Sequence, residues 1–159
     1  MTAYWIMFLF PCLGIVLEKL SAEVLKKFLK ITTAIFFIFF IGLRFEVGGD
    51  WFEYQLRMYA LKDAEIDFMR FIYFNFIWDH LNAFAARKDL GIVFVNFVSA
   101  IILVLGVVSF ANYQKNFYLA ILIAVPYLFI VVGMGYTRQS MAIGFSLLAI
   151  CSLYERRLF

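Results

Sequence analysis

Five stretches without a single charged side chain, at 1–17, 31–43, 90–114, 116–137 and 139–154, constrain this chain more than any other feature. A bilayer-spanning helix needs roughly 20 mostly apolar residues at about 1.5 Å each, which the third and fourth stretches supply outright. The second lengthens if Lys30 snorkels to the interface, and Arg156 and Arg157 can anchor the end of the fifth. Within a bilayer every backbone N–H and C=O must bond internally, so such segments become helices. The expectation is an all-α, polytopic integral membrane bundle with about five transmembrane helices. Pro126 lies inside the fourth stretch and predicts a kink there.

Composition agrees: 65% of the residues are hydrophobic and 21% aromatic, against about 45–50% apolar in ordinary soluble domains. The first stretch has no basic leader and no small-residue cleavage site, so it reads as a retained span and not a signal peptide. Cys12 and Cys151 each sit within an apolar stretch and read as packing thiols. A net charge of +3 spread between apolar blocks makes no basic patch, so no nucleic-acid partner is expected.

Charges between the spans orient the chain. If five helices alternate, Lys19, Lys26, Lys27, Lys30, Lys115, Arg156 and Arg157 fall on one side. The segment 44–89 and the joint at Arg138 fall on the other. Lys and Arg counts are even between the sides, but of eleven acids only Glu18, Glu23 and Glu155 accompany the short basic loops. The long segment is where the positive-inside rule weakens, so the short-loop side is assigned to the cytoplasm and 44–89 to the exterior. Within it, Trp51, Tyr54, Met58 and Leu61 recur at helical spacing, with Glu53 and Arg57 on another face. That pattern predicts an amphipathic helix on the outer membrane surface. The aromatic stretch 68–78 is too short to span comfortably and predicts a re-entrant or interfacial helix.

Two clusters carry chemistry. GLRFEVGGDWFEY at 42–54 places Arg44 at the end of the second span, and Gly48 and Gly49 permit a turn that returns Asp50 towards it. GMGYTRQSMA at 133–142 places Arg138 and Gln139 at the start of the fifth helix. A cation there opposes the helix dipole and favours a bound anion, such as a phosphate or pyrophosphate, between guanidinium and backbone N–H groups. The plainer alternatives are an interfacial Arg44 with Asp50 as its surface partner, and Trp51 and Tyr54 as belt aromatics. His80 is the only histidine, and Asp63, Glu65 and Asp67 read more simply as a solvated acidic run than as a cation site. No metal site is assigned. Walker, dinucleotide-binding, nucleophile-elbow and zinc-ligand patterns do not occur in the sequence.

At these clusters, through GLRFEVGGDWFEY and PYLFIVVGMGYTRQSMAIGFSLLAI (126–150), the sequence resembles the EpsG-like family of bacterial polysaccharide polymerases, relatives of the Wzy-type O-antigen and capsule polymerases. Family members are longer, so the resemblance implies that 1–159 is a single transmembrane domain forming the N-terminal part of a polymerase. It implies a glycosyltransferase-type enzyme of the bacterial inner (plasma) membrane with its active face extracytoplasmic. Such an enzyme transfers an undecaprenyl-pyrophosphate-linked oligosaccharide onto a hydroxyl of the next lipid-linked repeat unit, in exopolysaccharide, capsule or O-antigen biosynthesis. Arg44 and Arg138 would stabilise the departing pyrophosphate without metal or cofactor. Asp50 would accept the hydroxyl proton, with Glu46 or Glu53 as substitutes. Gly48, Gly49, Trp51, Tyr54, Tyr136 and Gln139 would bind substrate. Other polysaccharide assembly proteins are conceivable partners besides the bilayer. Two further readings stay open: a transporter or flippase subunit binding the same anionic lipid-linked glycan, and a non-catalytic membrane partner.

Overall fold

A computed structural model describes residues 2–20, 22–62 and 76–156, and its regular structure is helical throughout these residues. The elements are α1 (Thr2–Leu20), α2 (Glu23–Gly42), α3 (Trp51–Ala60), α4 (Phe76–Arg87), α5 (Gly91–Asn112), α6 (Phe117–Ala124), which runs on as a π-helix (Val125–Gly133), and α7 (Thr137–Arg156). Each uncharged stretch is realised as helix: the first, second and fifth are extended into neighbouring charged residues, while the third and fourth stop short of their ends. By length and composition one described helix, α5, can cross a bilayer, and the apolar 117–133 is shorter.

The main core lies between α1, α2, α5 and the α6–π unit, where Met7, Phe37, Leu103, Tyr118, Ile121 and Phe129 are fully enclosed. Phe10 stacks on Phe36, and Phe37 meets Phe129 at 4.3 Å between centroids. A smaller core joins α3 and α4 to α5 and the start of α7 through Trp51, Met58, Trp78, Val95 and Met141. Helices α5 and α7 touch backbone to backbone: a Cβ on Gly106 would lie 2.5 Å from the Gly144 carbonyl oxygen, and one on Gly144 2.5 Å from that of Ile102. Small residues at a crossing let two helices gain dispersion contact and interhelical hydrogen bonds where apolar burial alone drives little association.

Several expectations are refined. The bend expected at Pro126 takes the form of the π-helix, which starts one residue before it. Proline has no N–H and its ring collides with the carbonyl four residues back; widening the turn relieves both. Helix α3 forms as expected, but its Trp51, Met58 and Leu61 stripe is buried against protein and not laid on a membrane surface. The opposite stripe, Phe52, Leu56 and Tyr59, is the exposed one. Most of the aromatic stretch 68–78, and the acidic run Asp63, Glu65 and Asp67, lie outside the described residues. Cys151 is buried as expected; Cys12 is exposed because its position on α1 points away from the core.

Candidate functional site at one end of the bundle

The chain returns to one end of the bundle at the α2–α3 turn, at the start of α5 and at the joint before α7. A Cβ on Gly42 would stand 2.9 Å from the Phe97 Cα, so the end of α2 lies hard against α5. Arg44, two residues on, therefore reaches Asn96. It is 6% exposed and donates to the Gly133 carbonyl, to Asn96 Oδ1 at 3.2 Å and to Thr137 Oγ1 at 2.5 Å. Thr137 donates in turn to Asn96 Oδ1 at 3.0 Å. Gly133 is the last residue of the π-helix, so its carbonyl has no onward helical donor and is free to accept. One guanidinium thus ties together α5, the π-helix end and the first residue of α7.

All three acceptors are neutral, and among the described residues Arg44 has no carboxylate partner. Its Nε and the Asn96 Nδ2 are buried without a hydrogen bond. Burial pushes the Arg44 guanidinium down to about 10, which leaves it charged at neutral pH. A buried cation with no counter-charge is expensive in a low-dielectric setting, and an anion placed nearby lowers that cost.

The expected return of Asp50 to Arg44 does not occur. The turn runs through Glu46 and Gly48 at positive φ, 51° and 111°, and Trp51 N–H closes it on the Gly48 carbonyl at 3.4 Å. Gly48 is needed twice: its φ suits glycine, and a Cβ there would sit 2.6 Å from the Met134 carbonyl oxygen. The contact presses the first sequence cluster onto the second. Asp50 instead accepts the Tyr54 hydroxyl at 3.2 Å, one helical turn along. Arg44 makes its hydrogen bonds inward, on α5, the π-helix end and α7, so the turn leaves Asp50 at the mouth of the site.

Tyr54 is where the clusters converge. Its hydroxyl bonds Asp50, lies within reach of the Arg138 backbone N–H, and interacts electrostatically with both Arg138 and Arg44. Burial pushes the phenol up to about 12, helped by the charge and hydrogen bond of Asp50 and opposed by Arg138. Its ring packs edge-on to Trp78 at 5.2 Å, and Trp51 is buried edge-on to Phe45. Arg138, Tyr136 and Gln139 are exposed at the start of α7, Gly49 faces open space, and Glu46 and Glu53 are exposed. His80 is exposed on α4, beside Asp79. Among the described residues no group of three or more His, Cys, Asp or Glu side chains is placed to hold a metal ion.

Sequence reasoning passed over the residues that receive Arg44. Asn96 is a buried amide inside the long apolar helix α5, and an amide at such a position signals a role by itself. Asp79 carries no sequence signal of its own, yet it is buried and takes a forked bond from Arg57, Nε at 3.0 Å and Nη2 at 3.2 Å, locking α4 to α3 behind Tyr54.

No curated protein and no solved structure matches this chain. The EpsG family model matches residues 27–159, from the second turn of α2 through α7 and including every residue of the site just described, and on that ground the chain belongs to the EpsG family, a membership that suggests a membrane protein of polysaccharide biosynthesis.

Proposed function

We propose that the chain is a multi-pass bundle of the bacterial plasma membrane whose Arg44, Asp50, Tyr54 and Arg138 face the exterior. There Arg138 and the N-terminus of α7, backed by the buried Arg44, bind the pyrophosphate of an undecaprenyl-pyrophosphate-linked oligosaccharide, with Asp50 and Tyr54 beside it, for transfer to the next lipid-linked repeat unit. The observation that carries this reading is the buried Arg44, held by neutral acceptors alone and one hydroxyl away from Arg138. An anion seated at Tyr54 and the N-terminus of α7 meets both positive charges, the second directly.

The membrane placement is supported by an outward apolar belt. On α2 Val24, Phe28, Ile31, Ile35 and Phe39 are exposed at helical spacing, as are Trp5, Leu9 and Val16 on α1 and Leu119, Ile123 and Tyr127 on the α6–π unit. Such a belt is far larger than the isolated patches of soluble monomers. The basic loops gather at the end remote from Arg44, where Lys30 bonds Asn112 at 3.0 Å.

In the proposed reaction the acceptor hydroxyl attacks the anomeric carbon, the bond from that carbon to the pyrophosphate oxygen breaks, and a glycosidic bond forms. The hydroxyl proton passes to the Asp50 carboxylate, and undecaprenyl pyrophosphate leaves with both bonding electrons. Arg138 meets the charge that grows on the leaving group, where a preorganised donor is worth about 3–4 kcal/mol, or 10²–10³ in rate. Arg44 acts from behind: it fixes the start of α7 and adds positive potential, which makes it a positioning residue.

Arg138→Ala should abolish polymer formation from lipid-linked repeat units by the purified protein, while insertion and thermal stability remain near wild type. Unchanged polymer length would overturn the assignment. Transport of the repeat unit without any lengthening would replace the polymerase reading with that of a carrier.

A further inference from the structure

At the opposite end of the bundle a groove of about 620 Å³ runs between α2 and α5. Ala34 and Ile38 of α2 face Leu105 and Val108 of α5 along it, and Lys27, Lys30 and Asn112 close one end. From Lys27 to Ile38 the groove follows α2 for about 16 Å, at ~1.5 Å per residue. The hydrocarbon of one leaflet is about 15 Å thick, half of a ~30 Å core. One acyl chain seated against Ala34 and Ile38 therefore brings its headgroup to the lysines.

The charges at the mouth are arranged for an anion. Glu23 is engaged by Lys26 at 2.8 Å, and its carboxyl is held below the usual range first by Lys26 and then by Lys27 and Lys30. Glu155 takes the Tyr113 hydroxyl at a different cavity. Neither Lys27 nor Lys30 has a carboxylate partner among the described residues. Lys30 is fixed at the rim by its bond to Asn112 at 3.0 Å and by the Phe117 ring, 4.6 Å from its Nζ. An ammonium has three donors, so one bond leaves two to offer.

We propose that this groove is a binding site for one anionic phospholipid of the cytoplasmic leaflet, its acyl chain between α2 and α5 and its phosphate between Lys27 and Lys30. The proposal rests on the membrane placement above and not on the polymerase chemistry. An apolar groove alone accepts any acyl chain. The paired lysines over a leaflet-long groove select the charged headgroup, because basic residues attract the anionic cytoplasmic leaflet.

The test reconstitutes the whole chain in phosphatidylcholine bilayers and measures, by electron spin resonance, the immobilised fraction of spin-labelled phosphatidylglycerol and of spin-labelled phosphatidylcholine. The wild type should prefer phosphatidylglycerol. At about fivefold per lysine, Lys27→Gln with Lys30→Gln should weaken that preference by roughly twenty-fivefold. Ala34→Trp, which fills the groove but keeps both lysines, should also remove it. Free glycerol phosphate should not displace the lipid. Equal retention of both lipids, survival of the preference in Ala34→Trp, or an equal loss from Lys115→Gln would overturn the site. Failure of the chain to float with the bilayers would instead sink the membrane placement itself.

Discussion

At Arg44 stability and the proposed function meet in a single residue. Removing its charge takes an unpaired cation out of the interior, and a buried charge without a partner is a stability cost. Arg44→Met should therefore fold, yet lose its response to an anionic ligand. Inorganic pyrophosphate at a hundredfold excess over its dissociation constant should stabilise the wild type by about 2.7 kcal/mol, read as a rise in melting temperature. The Met variant should show a markedly smaller rise, and an equal rise in both proteins would remove Arg44 from the site.

Tyr54 permits a second residue-scale test, on pH. Its folded value, up at about 12, exceeds the ordinary 10 of an unfolded phenol, so the native state holds the proton more tightly. The resulting stability is complete below pH 10 and drains away as pH rises through 12. Arg44, pushed down to about 10 by the same burial, adds a slope of opposite sign in the same window. The burial that causes that slope is common to wild type and Tyr54→Phe, so the difference between them reports the phenol together with its coupling to Arg44. Thermal melts from pH 9 to 12 should show the advantage of wild type over Tyr54→Phe shrinking above pH 10; a constant difference would mean that the phenol is not held as described.

At the scale of elements, the π-helix does what the kink was expected to do and more. Its last carbonyl, Gly133, is aimed at Arg44, and its wide turn sets the rotation of the three-residue joint before Thr137. Pro126→Ala restores an N–H and removes the ring clash, so the segment should relax towards α geometry and carry Gly133 about a quarter turn around the axis. Polymer synthesis should fall at least about tenfold, while circular dichroism shows unchanged helix content. Full activity would mean that the widened turn is incidental. The α3–α4 pair is a second such element. Its stripe was legible as Trp51, the half-buried Tyr54, Met58 and Leu61, but what it packs on was not, because periodicity reports that a face is apolar and says nothing of whether lipid or protein covers it.

For the molecule as a whole, the reading stands on two chemically different ends. With Cys12 and Cys151 replaced by serine, a cysteine at Glu53 should react with a membrane-impermeant maleimide in intact cells, and one at Lys115 only after permeabilisation. Both positions are exposed, so access and not burial decides the outcome. Labelling of both from outside would put the Arg44 end and the lysine end on one side and undo the topology.

The helices of the uncharged stretches, the amphipathic α3, the disturbance at Pro126 and the two arginine-bearing clusters were present in the primary structure, because each follows from local rules: uncharged length, apolar periodicity, a missing N–H, a cation beside glycines. Helix α4 (Phe76–Arg87) was not, since charged residues interrupt it. Folding decided which groups meet. Asn96 and Thr137, 41 residues apart, close on Arg44, Tyr54 stands between Asp50 and Arg138, and the expected Arg44–Asp50 pair gives way to an inward guanidinium. These are contacts between helices, set by how α2, α5 and α7 pack where Gly42, Gly106 and Gly144 bring backbones close. No spacing along one helix encodes the depth or rotation of its neighbour, so the partners of Arg44 emerge only in three dimensions.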